Sequence, residues 1–347
     1  MSLRKLPAGR TTGPFIAVSD PRGYSRTMNQ RLAEPLRLAY LLAPQFSMMS
    51  FSAAIEPLRA ANRVSERRLF EWQLASIDGE PVTASNGIPV AVHGALEHIG
   101  KPDMVIVCMA LEPLQFGRNH KVHHVLRRLA RHGCRVGGIS SGAFALADAG
   151  LLTDRRCTVH WEYTDLFRSR YPGIEMTQEL YVVDRDVFTC SGGTAALDMM
   201  LHFVSEASSG QLAVAVAEQF IHPYIRRQED RQRMQMHERY GIDSPKLVEV
   251  IHLMESTLDE PVDVGVLARR VSISTRQVER LFREHLDISP KLFYLRLRVA
   301  RAQTLLRQTL NPIREVAMEC GFASTSHFSN AYKRVFGRAP TQERQRS

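Results

Sequence analysis

The sequence predicts two structural parts: an α/β sandwich on a mainly parallel sheet, then an all-α domain with two helix-turn-helix units. Three observations carry this expectation. Short apolar runs alternate with helical patterns between residues 36 and 208, no strand-like run occurs after Pro245, and one helix-turn-helix pattern appears twice beyond that proline.

In the first part, "LRLAYLL", "DMVIVC" and "CRVGGIS" read as buried parallel strands, because a strand covered on both faces needs near-continuous apolar text. "FSAAIEPLRAAN", "HHVLRRLARH" and "TAALDMMLHFVSEA" read as the helices between them. The stretch "VGGISSGAFALADAGLL" runs from a strand through a Gly/Ser turn into a helix and sets Ser140 at the apex. A serine there is a nucleophile, a ligand contact or a turn former, since such an elbow exposes a side chain and offers helix N-terminal amides to an anion. Ser141 and Gly142 supply those amides. In "CSGGTAALDMM", Gly193 and Thr194 open another helix and another anion seat, although paired glycines equally serve close strand–helix packing. Glu56 is either a helix-surface carboxylate or a pocket charge, His160 a satisfied core histidine or a polar contact, and Trp161 a core residue or a ligand wall.

A chain of 347 residues accommodates two or three domains, and 44% hydrophobic residues suits a globular protein. The formal charge of +9 favours a polyanionic partner. Five cysteines, odd in number and without a C-x-x-C pair, point to reduced core thiols and a cytoplasmic setting. Residues 1–35, rich in Arg, Ser, Pro and Gly, lack the apolar block of a signal peptide and are expected to form a disordered leader. No run of 18 apolar residues suggests a membrane span, and no spacing suggests a metal or cofactor site. The α/β domain is expected over 36–225. The polar stretch 226–243 would be a linker and 244–347 the helical domain.

In "VDVGVLARRVSISTRQVERLFREHL", a short helix, a turn and a second helix follow one another, with Ser274 and Gln277 forming a capping box. Val278, Leu281 and Phe282 face inward on the second helix; Thr275, Arg276, Gln277, Arg280 and Arg283 face outward. "PIREVAMECGFASTSHFSNAYKRVFG" repeats the pattern, leaving Thr325, Ser326, Ser329, Asn330, Lys333 and Arg334 available to a groove. Between the units, Leu292, Leu295, Val299, Ala302 and Leu306 form one helical stripe about 27 Å long at about 1.5 Å per residue. Such a spacer would set two recognition helices about 34 Å apart, one duplex turn.

The text "ISTRQVERLFREHLDISPKLFYLRLRVARAQTLL" with "IREVAMECGFASTSHFSNAYKRVFGRAPTQER" resembles the AraC/XylS-type DNA-binding domain. The departure is the tail, where Gln342-Glu343-Arg344 stands in place of the family's usual aromatic before the final arginine. The motifs "SFSAAIEPLRAAN", "GGISSGAFALADAGLL", "TVHWEY" and "FTCSGGTAALDMMLH" resemble the class I glutamine amidotransferase-like fold of PfpI-type proteins, as in the GlxA-like branch of AraC-type regulators. That resemblance implies that the enzyme's cysteine, histidine and glutamate fall on Ser140, His160 and Glu56. A serine needs an adjacent base where a thiol already supplies some thiolate, so a degenerate, non-catalytic site is expected. A Ser140/His160-dependent amidase or peptidase with an appended nucleic-acid module is the alternative.

The resemblances imply a ligand-responsive regulator, an activator of catabolic genes, with promoter DNA, RNA polymerase and a second copy of itself as partners. The expected ligand is a small zwitterionic metabolite, in keeping with regulators that respond to glycine betaine, carnitine or arginine. Its pocket would comprise Glu56, Ser140, Ser141, Gly142, His160, Trp161, Gly193 and Thr194.

Overall fold

In the computed structural model, which describes residues 34–111, 113–117, 119–233, 240–309 and 311–344, the apolar runs of the first domain form a sheet covered on both faces. The leader expected over 1–35, save its last two residues, and residues 234–239 of the expected linker lie outside the described residues.

The chain runs β1 (Leu36–Leu42), α1 (Met48–Ser65), β2 (Phe70–Ser76), β3 (Val82–Thr83), β4 (Pro89–Val90), β5 (Gly94–Ala95) and β6 (Met104–Met109). Then come α2 (Pro113–Gly117), α3 (His120–Arg131), β7 (Arg135–Ser140), α4 (Ala143–Asp148), β8 (Arg156–Thr158), α5 (Thr164–Arg170) and β9 (Glu175–Thr177). The domain closes with β10 (Tyr181–Asp184), β11 (Val187–Cys190), α6 (Ala195–Ala207) and α7 (Gly210–Gln219). Seven strands form one sheet in the order β10-β11-β7-β6-β1-β2-β5. All pairs are parallel except β10 with β11.

Strand β1 shows why its text is apolar throughout. Successive side chains alternate between faces, so Leu38, Tyr40 and Leu42 join one core with Phe46, Leu58, Phe188 and Phe203. Ala39 and Leu41 join the other with Val107, Leu126, Phe144 and Phe167. Each fully buried large side chain contributes about 1.5–3 kcal/mol of hydrophobic free energy, enough in sum to hold helices on both sides.

The segment expected to begin the linker is instead strapped to this domain as far as Arg233. Asp198, fully buried on α6, accepts hydrogen bonds from the Arg226 amide at 2.8 Å and its Nε at 2.9 Å, and lies 2.9 Å from His222 Nε2. The Leu180 amide donates to the Gln228 carbonyl at 2.9 Å. Gln232 Nε2 donates to Thr158 Oγ1 at 2.9 Å and to the Val159 carbonyl at 3.0 Å. Polar contacts rather than apolar packing hold the strap, which is why its sequence has no hydrophobic period.

The second domain comprises α8 (Pro245–Ser256), α9 (Val264–Arg270), α10 (Thr275–Leu286), α11 (Pro290–Gln308), α12 (Ile313–Glu319), α13 (Thr325–Phe336) and α14 (Pro340–Arg344). It has two separate cores. Val250, Met254, Leu267, Val278 and Phe282 form one, and Val316, Ala317, Phe322, Phe328 and Tyr332 the other. Helix α11 serves both, through Phe293 and Tyr294 at its start and Val299, Ala302, Leu305 and Leu306 beyond. The single stripe expected on α11 is therefore corrected: Leu292 and Leu295 are only half-buried, because the buried side rotates between the two clusters.

The unusual tail residue Glu343 is 1% exposed and pairs with Arg307 at 2.5 Å and Arg338 at 2.6 Å, tying α14 back to α11. Burial pushes its pKa up, but hydrogen bonds from Arg338 and Arg307 outweigh burial and hold the carboxyl at about 2. A depressed pKa contributes stability above the unfolded value, about 4.3, that is lost as the pH falls through that value towards 2. Glu343→Gln should accordingly lower the melting temperature of the helical domain at pH 7 by roughly 4–8 °C. The gap to the parent should close between about pH 4.5 and 2 in a pH series of thermal melts; a gap independent of pH would rule out the ion cluster as its cause.

Candidate functional site

The carboxyl end of β7 turns into α4 at Ser140, whose φ of 61° is in the left-handed region that costs an L-residue free energy. Gly138-Ile139-Ser140-Ser141-Gly142 matches the G-x-S-x-G elbow letter for letter. The turn is tight because Gly142 lies against the strands: a Cβ there would stand 2.5 Å from the Val107 carbonyl oxygen. Across the crevice Gly192, at φ 90°, approaches so closely that a Cβ would lie 2.8 Å from Ser140 Cβ.

The structure brings some of the expected residues to the elbow and not others. Ser140 is 6% exposed and Ser141 fully buried, with its Oγ donating to the Ala110 carbonyl at 2.8 Å. The Gly142 amide donates to the Ile139 carbonyl at 2.9 Å, so it is committed to the turn and is not an open anion seat. Helix α4 spans only six residues, whereas α6, opening after Gly193 and Thr194, spans thirteen and is the stronger dipole. Gly193 and Thr194 are the more accessible of these residues, and Thr194 Oγ1 accepts from Arg226 at 2.7 Å.

Glu56 requires correction. Its carboxylate pairs with Arg59 at 2.6 Å, one turn along α1, and is 42% exposed. Among the described residues nothing joins it to the elbow. The α1 residue that reaches the crevice is Ser50, whose Oγ accepts the Gly193 amide at 2.7 Å and donates to Ser47 Oγ at 3.0 Å. Sequence reasoning missed Ser50 because its partner lies 143 residues away and a serine in a first helical turn otherwise signals only capping.

His160 is tethered to the elbow by its backbone amide, which donates to the Ser140 carbonyl at 3.2 Å. Burial lowers its pKa, with Glu162 partly offsetting the shift, so the imidazole is neutral at pH 7. Its Nδ1 accepts the Glu162 amide at 3.4 Å. The same nitrogen lies 3.8 Å from the Glu162 carboxylate. No hydrogen bond joins this ring to the Ser140 hydroxyl among the described residues. Trp161 follows, 41% exposed, in a single turn of 3-10 helix (Trp161–Tyr163), with the Arg233 guanidinium 4.7 Å from its ring centroid.

All five cysteines are buried and unpaired. Burial pushes Cys134, Cys157, Cys190 and Cys320 up to about 12 and Cys108 higher still, so none is a thiolate near neutrality. Among the described residues no cluster of His, Cys, Asp and Glu could hold a metal ion, and no helix is long and apolar enough to cross a membrane.

In the helical domain the capping box forms: Ser274 Oγ accepts the Gln277 amide at 3.2 Å, and Gln277 Oε1 accepts the Ser274 amide at 2.9 Å. Gln277 is thus partly spent on the cap. Thr275, Arg276, Arg280 and Arg283 on α10, and Thr325, Ser326, Asn330, Lys333 and Arg334 on α13, are exposed; Ser329 is half-buried. Arg280 lies 3.9 Å from Glu284, an exposed pair too weak to hold it back from a phosphate or base.

An α/β fold with a strained serine elbow, joined to paired helix-turn-helix units with exposed cationic faces, defines a DNA-binding regulator. The comparisons agree: residues 37–206 match the DJ-1/PfpI family and residues 267–346 a helix-turn-helix domain family. The chain is 46% identical over 305 residues to the HTH-type transcriptional regulator CdhR of Pseudomonas aeruginosa, covering 88% of this chain and 90% of that one. It is 42% identical over 313 residues to GbdR of the same species, covering 90% of this chain and 84% of that one. It is 38% identical over 312 residues to GlxA of Rhizobium meliloti, covering 90% and 96%. A crystal structure of an AraC family transcriptional regulator from Pseudomonas putida, 30% identical, superposes with a TM-score of 0.50 over 54% of this chain and 100% of that one. The chain belongs to the AraC-family HTH-type transcriptional regulators that carry a DJ-1/PfpI domain ahead of the DNA-binding domain.

The strained elbow can be tested directly. Ser140→Gly should stabilise the α/β domain by about 0.5–1 kcal/mol in urea unfolding, since glycine adopts this φ without strain and loses part of the gain to unfolded-chain entropy. Gly192→Ala should destabilise it by about 1–3 kcal/mol. Equal stability in both variants would mean that the crevice relaxes freely.

Proposed function

We propose that this protein is a ligand-responsive transcriptional activator whose α/β domain binds a small zwitterionic metabolite and turns over no substrate. One observation carries the reading: Trp161, half-exposed beside the elbow, presents its ring to a cation and engages a guanidinium at 4.7 Å. An ammonium group would bind that face by cation–π attraction. The anionic end would lie at the N-terminus of α6, near Gly193, Thr194 and Arg226, with Ser50 and Ser140 forming the floor. Ser141 and Gly142 shape that floor and His160 positions Trp161. An amino acid or a betaine such as glycine betaine, carnitine or arginine has this charge pattern.

Promoter DNA would be read by Arg276, Gln277, Arg280 and Arg283 with Thr275 on α10, and by Ser326, Ser329, Asn330, Lys333 and Arg334 with Thr325 on α13. The two units would enter successive major-groove segments. Pairing of copies through the α/β domain would supply linkage on a tandem operator, and contact with RNA polymerase in the cytoplasm would complete activation.

Two measurements check this. In calorimetry with glycine betaine, carnitine and L-arginine in turn, Trp161→Ala should weaken the ligand that binds by about three- to thirtyfold. Glu56→Gln should change nothing, because its surface pair faces elsewhere; an unaffected Trp161→Ala affinity would move the pocket away from this ring. On DNA, Arg280→Ala should cost about 1–3 kcal/mol and relax specificity at one position if it reads a base, or weaken all sequences alike with a shallower salt slope if it holds a phosphate. Undiminished binding across a salt series would remove Arg280 from the interface.

A further inference from the structure

Trp161 stands on the segment where the two domains meet. The Glu162 carbonyl accepts from Gln308 Nε2 of α11 at 3.2 Å, and Asp165 pairs with Arg301 of α11 at 3.3 Å. The guanidinium that covers Trp161 belongs to Arg233, whose Nη1 lies 3.7 Å from Glu255 on α8. Arg233 is delivered there by an anchored neighbour, since Gln232 is hydrogen-bonded to Thr158 and Val159, directly ahead of His160 and Trp161. One side chain thus spans from the aromatic ring of the α/β domain to the first helix of the helical domain.

We propose that Arg233 is an internal occupant of the Trp161 face on which the ligand's cationic group docks, so that ligand and Arg233 exclude one another and binding releases the Trp161–Arg233–Glu255 connection. This rests on the reading that a ligand cation uses Trp161. One aromatic face holds one cation at contact distance, and a second would meet both the loss of ring contact and like-charge repulsion. Displacement proceeds by rotation of the Arg233 side chain, while its neighbour Gln232 remains fastened. Glu255 belongs to α8, whose Val250, Ile251 and Met254 share a core with Leu267 of α9 and Val278 and Phe282 of α10. What holds or frees Glu255 therefore acts on the body that carries the first recognition helix. The device also sets specificity, because a neutral metabolite of the same shape cannot displace a guanidinium from the ring.

The size of the effect follows from occupancy. If Arg233 covers the ring nine-tenths of the time, the ligand's apparent affinity is about tenfold below its intrinsic one, and removal of the competitor restores it. The chain has two tryptophans, so a Trp72→Phe background leaves Trp161 as sole reporter. Fluorescence and calorimetric titrations with glycine betaine and with tetramethylammonium chloride would compare the parent with Arg233→Gln, Glu255→Gln and Trp161→Ala, each checked for a cooperative thermal melt. Arg233→Gln should bind both cations roughly three- to tenfold more tightly, and its ligand-free operator binding should match that of the ligand-saturated parent. Glu255→Gln, which keeps Arg233 but neutralises the carboxylate it pairs with, should shift the same way by a smaller factor. Unchanged or weaker cation binding in both variants, with binding lost in Trp161→Ala, would overturn the competition while leaving the pocket in place. Cation affinity indifferent to Trp161→Ala, or no binding of either cation to any variant, would overturn the pocket and the competition together.

Discussion

The backbone at Ser140 is the constraint on which the rest of the α/β domain depends. A non-glycine residue held at φ 61° persists only where its surroundings over-determine it. Here Gly142 is pressed against the Val107 carbonyl from below and Gly192 stands against Ser140 from across the crevice. The sheet order places β7 between β6 and β11, so the elbow is clamped by two parallel neighbours. From this fixed point the His160 amide is held at the Ser140 carbonyl, and Trp161 is carried to the boundary with the helical domain. The geometry that would serve a nucleophile is kept, while no hydrogen bond joins the His160 ring to the Ser140 hydroxyl among the described residues.

The helical domain solves a different problem. Two small helix-turn-helix units could each bury little apolar surface alone, and α11 lets them share one long element while keeping separate cores. Arg298 reinforces the second junction, donating from Nε to the Cys320 carbonyl at 2.8 Å and lying 4.1 Å from the Phe322 ring centroid. Glu343 closes the far end with two arginines. Hydrophobic burial stabilises each unit, and buried polar contacts fix how α11 meets the second.

Both domains were legible in the sequence because their signals are local. A strand buried on both faces must be apolar residue after residue, as "MVIVC" is, and a capping box such as Ser274 with Gln277 requires its partners three residues apart. The site was only half legible, for the same reason. Ser140 announces itself through its own turn, but Ser50 acquires a role only when Gly193 arrives from the other end of the domain. The carboxylate of Glu56, by contrast, satisfies itself with Arg59 one turn away. The strap of residues 226–233 escaped notice because charged text without period looks like linker unless a buried acid such as Asp198 waits for it. The α11 stripe slipped because one helix serving two cores obeys no single period.

The shared helix α11 has a consequence for the DNA itself. With 19 residues of unbroken helix between them, two reading heads cannot slide or swivel independently to follow a changed target. Each added base pair moves the second site by about 3.4 Å along the duplex and by about a tenth of a turn around it. Were both units to dock on one duplex as proposed, a rigid ruler would leave the duplex as the compliant partner, and a mismatch between protein spacing and groove spacing would be absorbed as curvature of the DNA, at a cost of order 1–6 kcal/mol that depends on the flexibility of the steps between the two contacted segments. Bases that no side chain touches would then contribute to recognition through their stiffness.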